Sequence, residues 1–389
     1  MGLAGCAGTP SGTADAETPE PTAASGGHGE VSGAAEMSEP QSRLLSVSSS
    51  GEVGLVDLLT EEDQSLGEIG SPTGIASDGR FAFVEVDSGL DVVDGGAWTW
   101  DHGDHFHYYR ADPAIVGSLP GDGPATIVTP QLATVGTTGV FFAGSGEAVA
   151  LDMATLADGE IAERFRLDTD ATAGVVAPVG ELTIIALADG SDAGIARVHD
   201  ASGEIVGGAE EECTDPSGGI TTRVGTLIGC ADGALLATED DGSIAFDRIE
   251  ASADGAPATD FGGRKNRPTV AALSGSDGFW LLDTRAETMR RVAVDAELTQ
   301  VVAADDADEH VVALDAQGRV RVFGPDGTEL GATEPIADEG STLTVDTTRA
   351  YVSSPEAGVV YEIDFADGAR IAREIETPTA LAVAIEVGR

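Results

Sequence analysis

From Leu44 onward the chain repeats one phrase: a short apolar strand, an Asp, a few polar residues, a Gly, then another strand. It appears as "GEVGLVDLLTEEDQSLGEI" and "SGLDVVDGG", and returns as "GEAVALDMATLADGEI", "GIARVHDASGEIV" and "GSIAFDRIEASADG". It closes with "GFWLLDTRAETMRRVAV", "GRVRVFGPDGTELGA" and "GVVYEIDFADGARIARE". Successive phrases lie mostly about 36–58 residues apart, with short strands such as "RFAFVEV", "ELTIIALA" and "HVVALD" between them. Apolar and polar residues alternate with period two, and the turns are rich in Asp-Gly and Ser-Gly. A repeat near about 40–45 residues that carries four short strands is the pattern of a β-propeller. In that fold each sheet buries both faces against its neighbours, which suits Val, Ile, Leu and Ala. Eight phrases predict an all-β fold, a β-propeller over residues 43–389 with eight blades, seven being the alternative. A pair of immunoglobulin-like sandwiches would not produce so many similar phrases. The WD dipeptide and the kelch glycines are absent.

Two shorter regions precede the propeller. "LAGC" at Leu3–Cys6 reads as a lipobox, with Cys6 the lipid acceptor and residues 1–6 the remnant of a lipoprotein signal. Residues 7–42 are dominated by Gly, Ser, Thr, Ala, Pro and Glu, with little to bury, and read as a flexible tether. The expectation is an extracytoplasmic protein held by lipid to the outer face of the cell membrane. No apolar run approaches the 18 or more residues of a helical membrane span. With Cys6 lipidated, Cys213 and Cys230 remain, and outside the cytoplasm such a pair is expected to form a disulfide. The segment between them reads as a turn and a strand, so the bridge would close a hairpin-sized loop and stabilise by roughly 3 kcal/mol. The alternative, a pair of zinc thiolates, lacks the spacing of a compact C-x-x-C site.

Net charge excludes one class of partner. With 68 Asp+Glu against 20 Lys+Arg, the formal charge is −48. Such a surface repels nucleic acid and anionic headgroups. It does not by itself argue for metal, because a composition bias gives the same acidity. Lys265 is the only lysine.

"WDHGDHFHYYR", Trp100–Arg110, concentrates three of the six histidines. His105 and His107 are two apart, so an extended strand projects both from one face. His102 stands three residues earlier, across Gly103, where the backbone can turn back. Zinc takes imidazole nitrogens at about 2.0–2.1 Å and usually wants four ligands. Asp104 and Asp101 are candidates for a fourth ligand, or for acceptors that fix an imidazole tautomer. Trp98, Trp100, Phe106, Tyr108 and Tyr109 would wall the ion. The competing reading is a polar loop whose histidines hydrogen-bond locally. His28 sits in the tether, His199 and His310 follow strand phrases, and all three read as ordinary surface or turn residues.

These residues carry a resemblance. "LDVVDGGAWTWDHGDHFHYYR" is similar to a phrase of the AztD zinc metallochaperones, periplasmic β-propellers that accompany a zinc-uptake ABC transporter. "EEC…IGCADGALLA", "RPT…LLDTR" and "SSPEAGVVYEIDFADG…TPTALA" also resemble that family, over roughly residues 44–389. The resemblance implies a metallochaperone, not an enzyme. Zinc would be bound at His102, His105, His107 and Asp104 and delivered to the transporter's solute-binding protein. Departures accompany it. Where the family has His-His-Gly before a mid-chain strand, this chain has Thr172 and Ala173. Where the family has His-Gly after its first cysteine, this chain has Ser217, with Asp215 beside it as a possible replacement ligand. The expectation is a weakened metal site. Two other classes stay in play: a metal-free interaction propeller, and a lactonase- or quinoprotein-like enzyme. Against the latter, G-x-S-x-G, H-E-x-x-H, P-loop and EF-hand spacings are all missing.

Overall fold

The computed structural model of the chain describes residues 31–101, 105–252 and 255–389. Among these, the strands form eight four-stranded antiparallel sheets and one three-stranded sheet, and the β-propeller predicted from the repeating phrase is the observed architecture. In seven of the four-stranded sheets the strands follow chain order from the innermost outward. The remaining sheet closes the ring. Its innermost strand, Val383–Val387, comes from the C-terminal end and pairs antiparallel with Arg43–Val47, from Arg43↔Val387 to Val47↔Val383.

Between sheets the core is aliphatic. Val175, Ala177 and Val179 of one innermost strand are buried with Ile184, Ala186, Ile228 and Leu235, and cover both sides of a sheet interface. Small and β-branched side chains suit this packing, because each strand is crowded on two faces and the sheets interdigitate. Among the described residues, no helix is long and apolar enough to cross a membrane.

Cys213 and Cys230 are bonded. Their bridge is not the closure of a simple hairpin. Cys213 follows the outermost strand of one sheet, Ile205–Glu212, and Cys230 ends the second strand of the next, Thr226–Cys230. The disulfide therefore staples neighbouring sheets, with both sulfurs in their shared core.

The tether also differs from expectation. Residues 35–37 form a strand, Ala35–Met37, and Gln41 is buried, so the folded region reaches back into the segment read as flexible. The propeller's own first strand begins at Arg43.

Candidate functional site

The histidine stretch lies on a hairpin inserted into one sheet. Strands Gly89–Asp94 and Ala114–Pro120 pair directly, and the chain between them makes the hairpin Ala97–Asp101 and Phe106–Arg110. Ala35–Met37 adds to the hairpin's other edge, pairing Ala35↔Arg110, Glu36↔Tyr109 and Met37↔Tyr108. Three strands from two distant parts of the chain thus build one small sheet.

Strand alternation sorts its side chains. His105, His107 and Tyr109 share a face, and the register Trp98↔Tyr109 and Trp100↔His107 adds both tryptophans. Trp98 stacks on Tyr109 at 5.1 Å between centroids, and His107 stacks on Tyr109 at 6.1 Å. The Arg80 guanidinium lies over the Trp98 ring at 4.0 Å. Arg80 is itself clamped to Asp94, with Nη2 donating to Oδ2 at 2.7 Å and Nε to Oδ1 at 3.1 Å. This buried pile of Arg80, Trp98 and Tyr109 fastens the hairpin to the propeller. Phe106 and Tyr108 point the other way and stack on each other at 6.5 Å. The expected five-ring wall is therefore a three-ring wall, and position parity alone would have separated the two sets. Asp101 pairs with Phe106, on the face opposite the imidazoles.

A second anchor holds the hairpin's base. Arg110 Nη1 lies 2.8 Å from Asp57 Oδ2, and Arg43 Nη1 donates to the Gly95 carbonyl at 2.7 Å. Burial pushes the Asp57 carboxyl up, but the backbone amides of Thr60 and Leu59, with Arg110 and Arg43, hold it below the ordinary carboxylate range.

The two imidazoles meet. His105 Nε2 stands 2.9 Å from His107 Nε2, and His107 Nδ1 stands 2.6 Å from Glu36 Oε1. His107 is buried, whereas Glu36 is half exposed. An ionised carboxylate only accepts, so Nδ1 is the donor toward Glu36, and the neutral form of His107 then turns a lone pair on Nε2 toward His105. Two zinc–nitrogen bonds of about 2.0–2.1 Å at a tetrahedral angle need the nitrogens about 3.3 Å apart. The observed pair would have to open by a few tenths of an ångström, and His105 would have to move its proton to Nδ1. Two imidazoles with a carboxylate behind one of them thus fit a borderline divalent cation as part of its ligand set. Among the described residues, no group of three or more His, Cys, Asp or Glu is placed to hold a metal ion. His102 and Asp104 lie outside the described residues, as do Cys6 and His28.

Glu36 is the residue that sequence reasoning missed. It sits 71 positions from His107 in a stretch read as tether, and nothing local marks it.

The other singled-out positions lie elsewhere. His199 Nδ1 meets the Gly203 carbonyl at 3.0 Å, and His310 Nδ1 meets Asp306 Oδ2 at 2.6 Å; His199 ends the strand Ile195–His199, His310 precedes Val311–Asp315, and both are buried and not at the surface. The Ala173 amide faces Asp189 Oδ1 at 3.4 Å, and Ser217 Oγ donates to the Ala258 carbonyl at 2.6 Å. Both precede innermost strands, Gly174–Val179 and Gly219–Thr221. The hairpin leaves its sheet after a third strand, which runs parallel to the innermost one. Ala173 and Ser217 therefore sit at the opposite end of their sheets from the end at which the hairpin emerges from its own.

Comparison with known proteins adds to this geometry. No protein-family model matches the chain, and no curated protein matches it. Among solved structures, AztD from Citrobacter koseri superposes with a TM-score of 0.74 at 19% identity, covering 90% of this chain and 98% of that one. Apo AztD from the same organism gives 0.74 at 18% identity, with the same coverage. The computationally designed Ika8 protein gives 0.50 at 14% identity, covering 80% of this chain and 89% of that one. These likenesses establish the fold.

Proposed function

We propose that this chain is an extracytoplasmic zinc-binding propeller of the metallochaperone kind, with zinc as its cargo and not a reactant. The observation that carries the reading is the pair of facing imidazole nitrogens, 2.9 Å apart, with Glu36 holding the proton of one ring away from them. The resemblance of "HGDHFHYY" to the AztD zinc metallochaperones supports it, and so does the shared fold. In this reading His105 and His107 supply two nitrogen ligands, and His102 and Asp104 supply the rest. Glu36 orients His107, as carboxylates behind metal-bound imidazoles do. Cys6 carries a lipid that keeps the protein at the membrane, where it passes zinc to the solute-binding protein of an ABC transporter. No reaction is assigned to it.

Competition titration against a zinc chelator tests the reading. The wild type should hold zinc, and the double variant His105→Ala/His107→Ala should not. Glu36→Gln should bind about 10–100-fold more weakly than wild type, the usual cost of losing such a carboxylate. Affinity should fall with pH, because protons compete with zinc for the same lone pairs. Equal affinity of wild type and double variant would leave a metal-free interaction propeller. That second reading is favoured by the absence, among the described residues, of any group of three or more His, Cys, Asp or Glu placed to hold a metal ion.

A further inference from the structure

The cavity at the centre of the ring inverts the charge balance of the whole chain. It has a volume of about 260 Å³ and is lined by innermost strands from seven of the eight sheets, represented by Ala76, Ile127, Ile220, Phe261, Val302, Leu343 and Ile385. Acids outnumber bases by 68 to 20 in the sequence. The charged side chains on this cavity are Arg264, Lys265 and Arg389, against the single acid Asp78. The chain's only lysine is one of them.

The loop that carries Lys265 is built to hold it there. It joins Ala258–Gly262 to Thr269–Ser274, and Asn266 turns the backbone through the left-handed region at φ 61°. The arginines on either side tie the loop to the next sheet. Arg264 Nη1 donates to the Ala304 carbonyl at 2.9 Å, and Arg267 Nη2 to the Asp305 carbonyl at 2.8 Å. Between these two ties Lys265 extends across the ring to the Asp78 backbone carbonyl. That contact uses one of the three donors of an ammonium group. Burial lowers the Lys265 pKa, and the nearby Asp78 carboxylate raises it against that trend, with Arg389 lowering it again. Asp78 Oδ1 accepts from the Arg80 and Phe81 amides, and its buried Oδ2 makes no hydrogen bond, Lys265 reaching the backbone carbonyl instead. Arg389 Nη1 is spent on the Val345 carbonyl, which leaves its positive charge in place. Its nearest acid, Glu386, lies 3.8 Å away and is fully buried.

We propose that this channel is a binding site for a small oxyanion, a carboxylate or phosphate group, anchored by the Lys265 ammonium with Arg264 and Arg389 supplying the surrounding positive field. An anion there would complete the hydrogen bonds of Lys265 and offset the cost of burying its charge. A cavity of this size admits a small molecule and not a polymer. The acidic exterior repels anions at long range, so binding is expected to be slow and to quicken with salt.

Isothermal titration of the zinc-free protein with inorganic phosphate, and separately with citrate, tests the proposal, with sodium chloride matched in ionic strength. At least one probe should bind at one site per chain. Lys265→Met should weaken it at least tenfold, and Arg370→Ala, on the outer surface, should leave it unchanged. Binding of neither probe above chloride, or equal binding by Lys265→Met, overturns the site. A second measurement uses the wild type alone, because Lys265 is the sole lysine. Reductive methylation at Lys265, followed by peptide mapping, should slow at least fivefold when the binding probe is added. Methylation at an unchanged rate refutes the assignment even if the Met variant fails to fold.

Discussion

At Glu386 the ring closes over a carboxyl group that water does not reach. The residue lies in Val383–Val387, is fully buried, and neither oxygen makes a well-formed hydrogen bond. Burial pushes its pKa up to about 8; Arg389 pulls it down and Asp346 pushes it further up. The sign follows from linkage. An unfolded glutamate loses its proton near its ordinary value of 4.5, and the native one keeps it until about 8. Across that window the native state binds more protons, so stability falls as pH rises, by at most about 1.4 kcal/mol per pH unit. Glu386→Gln keeps the shape and removes the titration. It should raise the melting temperature clearly at pH 8 and little at pH 5. A shift of the same size at both pH values would mean that Glu386 is ionised in the native protein throughout.

At the scale of one element, the histidine hairpin is an appendage held by few contacts. Trp98 is its main fastener, stacked on Tyr109 and covered by the Arg80 guanidinium. Trp98→Ala removes a buried indole, a change that costs about 3–5 kcal/mol in well-packed cores. The loss should be local. Hydrogen exchange should quicken at least tenfold at the amides of Ala97–Asp101 and Phe106–Arg110, while the strand Val311–Asp315, across the ring, keeps its protection. Uniform loss of protection in both places would show that the hairpin unfolds only with the whole propeller. Zinc affinity should fall in the same variant, because His107 is positioned by the stack that Trp98 supports.

The whole molecule is a ring, and its stability depends on closure. Five backbone pairs join Arg43–Val47 to Val383–Val387, and Leu45, Val47, Val383, Ile385 and Val387 are buried in one cluster across that seam. Deleting residues 383–389 removes an innermost strand and exposes the edge of its neighbour. The truncated chain should lose its cooperative thermal transition and associate through that edge, measurable by calorimetry and sedimentation. A truncated monomer that melts as sharply as the full chain would show that the other sheets stand as an open arc. The same ring decides what the sequence shows and what it hides. Period-two alternation and Asp-Gly turns are local properties, so the propeller was legible phrase by phrase. His105 and His107 were placed on one face because strand geometry alone puts residues two apart side by side. The pairing of Cys213 with Cys230 was legible from the cysteine count and the compartment expected of the chain, but its role as a staple between sheets was not. Which strand closes the ring, which carboxylate stands behind His107, and that the only lysine fills the channel are contacts between residues dozens to hundreds of positions apart. Alternation assigns a side chain to a face and says nothing of what the ring brings against that face. Glu36 and Lys265 acquire their surroundings only when distant strands have packed.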